Sequence, residues 1–141
     1  MFTLYREENA DMELHVEGNL LKNRRGEKVM LTGVNCASLE WLCNPEKLVR
    51  TVQVALDDWN ANTIRLPLSQ DKWFGFGGDQ RGEDESGERY RAIVDQIVEE
   101  IAKRRKYVIL DLHRSNCGSW GEFISGNMPD MNSLVFWKDI A

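Results

Sequence analysis

Apolar residues recur along this chain with two different periods, and the switches between them mark its elements. Short strand-like runs come first. Leu14-His15-Val16 and residues 19–23 predict two strands, with Arg24-Arg25-Gly26-Glu27 as a turn and Val29-Met30 returning the chain. Three strand-then-helix units follow. Leu31-Thr32-Gly33-Val34-Asn35 predicts a strand, and Asn44-Pro45 opens a helix, with Asn as N-cap and Pro at the first helical position. Leu48, Val52, Ala55, Leu56 and Trp59 give that helix an apolar face, which ends near Asn60-Ala61-Asn62. Thr63-Ile64-Arg65-Leu66 predicts the second strand, closed by Pro67, and residues 68–87 a long loop. Tyr90, Ile93, Val94, Ile97, Val98 and Ile101 form the stripe of a helix from about residue 88 to 105. Residues 107–113 are apolar on both faces until their end, the habit of a parallel strand covered by helices. Residues 114–131 predict another long loop, and Asn132-Ser133 a third helix that is still in pattern at Ala141.

Alternating strands and helices predict an α/β fold, a parallel sheet with right-handed crossovers. Three strands cannot close a barrel, and a full eightfold barrel takes roughly 250 residues. The expected architecture is the N-terminal part of a (β/α)8 TIM barrel with an N-terminal β-hairpin. Residues 1–13 would form an extension and residues 14–141 a partial barrel domain truncated at its C-terminal side.

The chemistry concentrates where strands end. Each of the three barrel strands is mostly apolar and then turns polar: Asn35, Arg65 and His113. Side chains alternate along a strand, so Arg65 points away from Ile64 and Leu66, and Asp111 shares a face with His113. Inward-facing polar groups would meet at the C-terminal mouth, where such barrels carry their active sites. Each residue also has a plain structural reading. Arg65 and Asp111 would satisfy one another, since interior charges are costly unless paired, and His113 would be a hydrogen-bonded core histidine. Three such residues at matching strand ends favour the rim. The loops add aromatic residues, Trp73, Phe74, Trp120 and Phe123, with Trp41 after the first strand. Flat rings stack on the apolar face of a sugar or simply cover the core. Trp59 and Trp137 lie at helical spacings and are expected in the core.

Composition narrows the function classes. The 141 residues are 42% hydrophobic and 29% charged, in the range of globular domains. A formal charge of -5 argues against a nucleic-acid partner, which would need clustered Lys and Arg. The one basic cluster, Lys103-Arg104-Arg105-Lys106, sits where a helix ends and complements its dipole. No apolar run is long enough to span a bilayer, so no membrane partner is expected, and the N-terminus lacks a secretory pattern. Cys36, Cys43 and Cys117 make no disulfide framework, and no CxxC or HxxxH spacing supports zinc. Gly75-Phe76-Gly77-Gly78 fails the dinucleotide fingerprint because Gln80 stands where the third Gly belongs. No metal and no organic cofactor are expected.

On these segments the sequence resembles glycoside hydrolase family 5, the cellulase-type retaining β-glycosidases. The matching runs are Leu31-Thr32-Gly33-Val34-Asn35, Asn62-Thr63-Ile64-Arg65-Leu66-Pro67 and Val108-Ile109-Leu110-Asp111-Leu112-His113. Met128-Pro129-Asp130, Asn132-Ser133 and Phe136-Trp137-Lys138-Asp139 also match, as does Ser69-Gln70-Asp71-Lys72-Trp73-Phe74-Gly75. The resemblance implies supporting catalytic roles for Arg65, beside the nucleophilic carboxylate, and for His113, at the cleavage subsite. It implies a polysaccharide or oligosaccharide partner, with Asn35, Trp73 and Trp120 as substrate-binding candidates, and an extracellular setting. It places the acid/base glutamate at the end of the fourth strand and the nucleophile at the end of the seventh, both beyond Ala141. Neither Glu40 nor Glu122 fits those positions. The expected activity of the complete enzyme is endo-β-1,4-glucanase-like hydrolysis, with this portion inactive alone. A mannan-cleaving barrel enzyme and a non-catalytic carbohydrate-binding remnant are the alternatives. Relatives often carry a Trp-Ser-Asp run after the histidine, where Arg114-Ser115-Asn116 stands here, so glycan preference is left open.

Overall fold

The computed structural model describes residues 12–43, 45, 47–114, 129 and 131–141. Strands β1 (Leu14–Glu17) and β2 (Leu20–Asn23) pair antiparallel, with Leu14 opposite Asn23 and Glu17 opposite Leu20. Beyond them, β3 (Gly33–Asn35), α1 (Leu48–Asp57), β4 (Thr63–Ser69), α2 (Gln70–Trp73), α3 (Glu88–Lys103), β5 (Tyr107–Arg114) and α4 (Met131–Ile140) follow in chain order, with a 3-10 turn at Gly78–Gln80. The second sheet is parallel throughout, in the order β3-β4-β5. Strands that neighbour in sequence also neighbour in space, the order that successive units of a β/α barrel take.

The pleat divides this sheet into two faces. Ile64, Leu66 and Leu68 are wholly buried against the helices, beside Val52, Ala55 and Leu56 of α1 and Tyr90, Val94, Ile97 and Ile101 of α3. Each of the buried Val, Leu and Ile side chains contributes roughly 1.5–3 kcal/mol of burial. The opposite face carries Arg65, Asp111, His113 and Ile109, and Ile109 is 43% exposed. One phenol helps fix the geometry. Tyr90 donates its hydroxyl to the Leu39 carbonyl at 2.8 Å and accepts the Ser69 N–H at 3.1 Å. Burial pushes that phenol well above its ordinary pKa.

At the other end of the sheet Asn62 stitches the strands together. Its side chain accepts the Thr32 N–H at 2.7 Å and donates to the Met30 carbonyl at 2.8 Å, while its own carbonyl accepts the Tyr107 N–H at 2.8 Å. Close approach of β3 to β4 requires glycine at residue 33, since a Cβ there would lie 1.8 Å from the Thr63 carbonyl oxygen. Gly33→Ala is expected to destabilise the protein toward the upper end of the roughly 1–3 kcal/mol typical of overpacking. The midpoint of urea unfolding measures this, and an unchanged midpoint would show that β3 is not pressed against Thr63.

Several expectations need correction. The helix α1 begins at Leu48 rather than at Asn44-Pro45, and Asn44 itself lies outside the described residues. Strand β3 starts at Gly33, not Leu31, and β4 runs through Pro67 to Ser69. Pro67 is tolerated because residues 65 and 67 turn their backbone groups toward β3. Arg65 accepts the Cys36 N–H there, and β3 has ended before Pro67 would need a donor. Trp59 is 69% exposed instead of core. The helix stops at Asp57, the Ala61 N–H returns to Ala55, and Asn60 takes a left-handed φ of 54°, so helical spacing no longer governs residue 59. Trp137 is likewise 43% exposed, edge-on to buried Phe136.

The loop expected over residues 68–87 is a built structure. Lys72 is fully buried and forms an ion pair with Asp79, which also accepts the Cys43 N–H at 2.9 Å. Gln80, also fully buried, donates to the Lys72 carbonyl at 2.9 Å and to Asp84 at 3.1 Å. Asp84 in turn accepts the Arg89 and Tyr90 N–H groups at 3.0 and 3.1 Å, satisfying free donors at the start of α3.

Candidate active site

The register of the parallel sheet determines which polar residues meet. Asn35 lies opposite Arg65, and Asp111 opposite Pro67, two residues beyond Arg65 on the same face. His113 is two further along β5. All four side chains project from the face that carries no helices. Arg65 reaches both neighbouring strands, with Nη1 donating to Asn35 Oδ1 and Nη2 to Asp111 Oδ2. The imidazole Nδ1 of His113 lies 2.9 Å from Asp111 Oδ2 and 3.3 Å from Arg65 Nη2. The residues singled out at the three strand ends therefore form one cluster, with Asp111 joining the other two charged or titratable members.

Exposure bears on what this cluster is for. The Arg65 and Asp111 side chains are 36% and 29% exposed, and His113 is 47% exposed. An ion pair open to water to that degree contributes on the order of 1 kcal/mol or less. The apolar face behind it contributes several times more. The cluster offers a cationic fork, a hydrogen-bonding imidazole and a carboxamide on one face of three adjacent parallel strands, with Asn35 ending β3, His113 next to the end of β5 and Arg65 in mid-β4.

The aromatic candidates fare differently. Trp73 is 4% exposed, edge-to-face with Phe136 at 5.2 Å, and its indole N–H donates to Asp139 at 2.6 Å. Its ring is occupied as a bridge between α2 and α4, so the expected sugar-stacking face is covered by protein. Trp120, Phe123 and Cys117 lie outside the described residues. Phe76 is 74% exposed and, with Phe74, Asp71, Gln70, Asn132 and Val135, lines a shallow depression of about 290 Å³. It lies in a segment read from sequence only as a glycine-rich loop. What sequence reasoning missed is the framework behind the rim, Lys72, Asp79, Gln80 and Asp84. Its one visible signal is the run of acids, Glu83, Asp84 and Glu85, on the approach to α3.

Burial raises the pKa of the Cys36 thiol, and burial followed by the Asp79 carboxylate raises that of Cys43. Among the described residues no group of three or more His, Cys, Asp or Glu side chains could hold a metal ion, and no helix is long and apolar enough to cross a membrane.

Comparison with known proteins accords with this arrangement. Residues 22–141 match the family model Cellulase (glycosyl hydrolase family 5). Endoglucanase A of Butyrivibrio fibrisolvens is 30% identical over 124 residues, covering 87% of this chain and 28% of that protein. Endoglucanase MaCel5A of Microbulbifer sp. (strain ALW1) is 30% identical over 130 residues, covering 92% of this chain and 23% of its own length. The chain thus spans about a quarter of these relatives. Among solved structures, the catalytic domain of Thermobifida fusca endoglucanase Cel5A (E5) superposes with a TM-score of 0.50 at 22% identity, over 76% of this chain and 32% of that one. A variant of that domain, solved in complex with cellotetraose, matches equally. The chain belongs to glycosyl hydrolase family 5.

Proposed function

We propose that this chain builds the first part of the substrate cleft of a retaining endo-β-1,4-glucanase, the complete protein closing the sheet into a (β/α)8 barrel. The observation that carries the reading is the convergence of Asn35, Arg65, Asp111 and His113 on the helix-free face of β3, β4 and β5. In such an enzyme two carboxyl groups about 5–5.5 Å apart serve as nucleophile and acid/base. They would come from strands that follow this segment, the acid/base glutamate from the fourth barrel strand and the nucleophile from the seventh. Arg65 would stand beside the nucleophile and favour its ionised form by its positive charge. His113 would hydrogen-bond to the sugar at the cleavage point, and Asn35 would hold the guanidinium from the far side. The substrate would be a β-linked glucan or its oligosaccharides, in keeping with the endoglucanase relatives. The chemistry requires no metal or organic cofactor.

The test separates the segment from the whole. The pure 141-residue chain should release no reducing sugar from a soluble cellulose derivative, and the chain continuous with the rest of its barrel should release it readily. Hydrolysis by the segment alone would overturn the division of labour. A complete barrel without a glutamate at its fourth and seventh strand ends would overturn the enzymatic reading.

A further inference from the structure

The geometry points to Asp111 as the positioning residue of this cluster, one that selects the His113 tautomer and leaves Nε2 as a hydrogen-bond acceptor toward the cleft. Two neighbours compete for His113 Nδ1. The Asp111 carboxylate oxygen lies at 2.9 Å and can only accept, and the Arg65 Nη2 lies at 3.3 Å and can only donate. With a proton on Nδ1, the shorter contact is a charge-assisted hydrogen bond and the longer one a contact between two donors. With the proton on Nε2, two lone pairs would face each other at 2.9 Å, in return for a weaker bond at 3.3 Å. The first arrangement wins on both distances.

Asp111 Oδ2 thereby accepts from both partners, the guanidinium on one side and the imidazole on the other. The same oxygen fixes the arginine fork, whose other arm is held by Asn35. In the neutral imidazole Nε2 then carries a lone pair, and the 47% exposed side chain leaves the ring open on the helix-free face. A hydroxyl of the bound sugar would donate to Nε2, rather than accept from it. This last step rests on the glycosidase reading, whereas the tautomer itself does not.

The tautomer is read by nitrogen NMR of the uniformly 15N-labelled protein, without substrate, at a pH where the imidazole is neutral. His15, on the two-stranded ribbon, serves as internal comparison. His113 is expected to show a pyrrole-type Nδ1 and a pyridine-type Nε2. The reverse assignment in the wild-type protein would overturn the proposal, whatever the fate of the glycosidase reading. Asp111→Ala should lose the Nδ1–H preference, and an unchanged tautomer in a folded variant would likewise overturn it. Should the glycosidase reading fail in the hydrolysis assay while the wild-type ring shows the Nδ1–H form, Asp111 keeps its positioning role and only the sugar hydroxyl is withdrawn.

Discussion

In the complete enzyme, Arg65→Ala is expected to lower kcat by about 10²–10³ while leaving KM nearly unchanged. The magnitude is that of removing one preorganised donor from a site where charge develops. The split between kcat and KM follows from where the guanidinium sits. It is held by Asn35 and Asp111 before any sugar arrives, so under the proposed reading it would bind ground state and transition state differently only through the nucleophilic carboxylate beside it. Steady-state kinetics on a soluble β-glucan check this. Activity equal to the parent would reduce Arg65 to the partner of Asp111, an ion pair of small energetic consequence. A rise in KM at constant kcat would make it a general substrate-binding residue.

The second large effect lies behind the rim, at Lys72 and Asp79. The Lys72 side chain is 1% exposed and Asp79 38% exposed, so the two ends of this ion pair are not equivalent. Asp79→Ala strands a buried ammonium and removes the acceptor of the Cys43 N–H. Breaking a fully buried pair costs roughly 3–5 kcal/mol, and water reaching the vacated side reduces this to about 2–3 kcal/mol. Lys72→Met removes the buried charge and leaves a carboxylate that water and Cys43 already serve, and should cost within about 1–2 kcal/mol. Denaturant unfolding of the two variants decides the matter, and a larger loss for Lys72→Met would mean that the ammonium is better solvated than its burial implies.

Acid should tell the same story. Burial opposes ionisation of Asp79, but the Lys72 ammonium and the Cys43 N–H outweigh it and hold its carboxyl below the usual range. Asp84 is lowered as well, by the Arg89 and Tyr90 N–H groups and Gln80 against its own desolvation. A depressed carboxyl stabilises the fold fully above its unfolded value near about 3.9, and that stability is lost as pH falls through the folded value. The slope of stability against pH below about 4 should therefore flatten in Asp79→Ala.

Most of the strand and helix pattern was legible because apolar periodicity reports burial directly. The stripe of α3 and the existence of the strands that carry Asn35, Arg65 and His113 are examples, and the register of a parallel sheet then brings those residues together, although β4 continues four residues past Arg65. Trp59 was misread because a periodic pattern cannot show that the helix has stopped two residues before it. Trp73 was misread for the opposite reason. A tryptophan in a glycine- and acid-rich stretch looks like a surface ring, and nothing local reveals that Phe136 and Asp139, more than sixty residues later, enclose it. Lys72 and Gln80 were invisible on the same grounds, since their partners lie across turns whose geometry rests on positive-φ glycines such as Gly75 and Gly87. Asp111 was seen as a partner for Arg65. Its contact with His113 depended on how the two side chains turn toward each other, which strand alternation alone does not give.

The Tyr90 hydroxyl has a consequence for how the segments leaving this sheet can change over evolutionary time. One oxygen ties the exit of β4, at Ser69, to the segment that leaves β3, at Leu39. The two neighbouring segments are thus anchored to a common pin set in the helix layer. A substitution that shifts one drags the other, so variation here should arise in the outer turns of these loops, while their roots stay fixed.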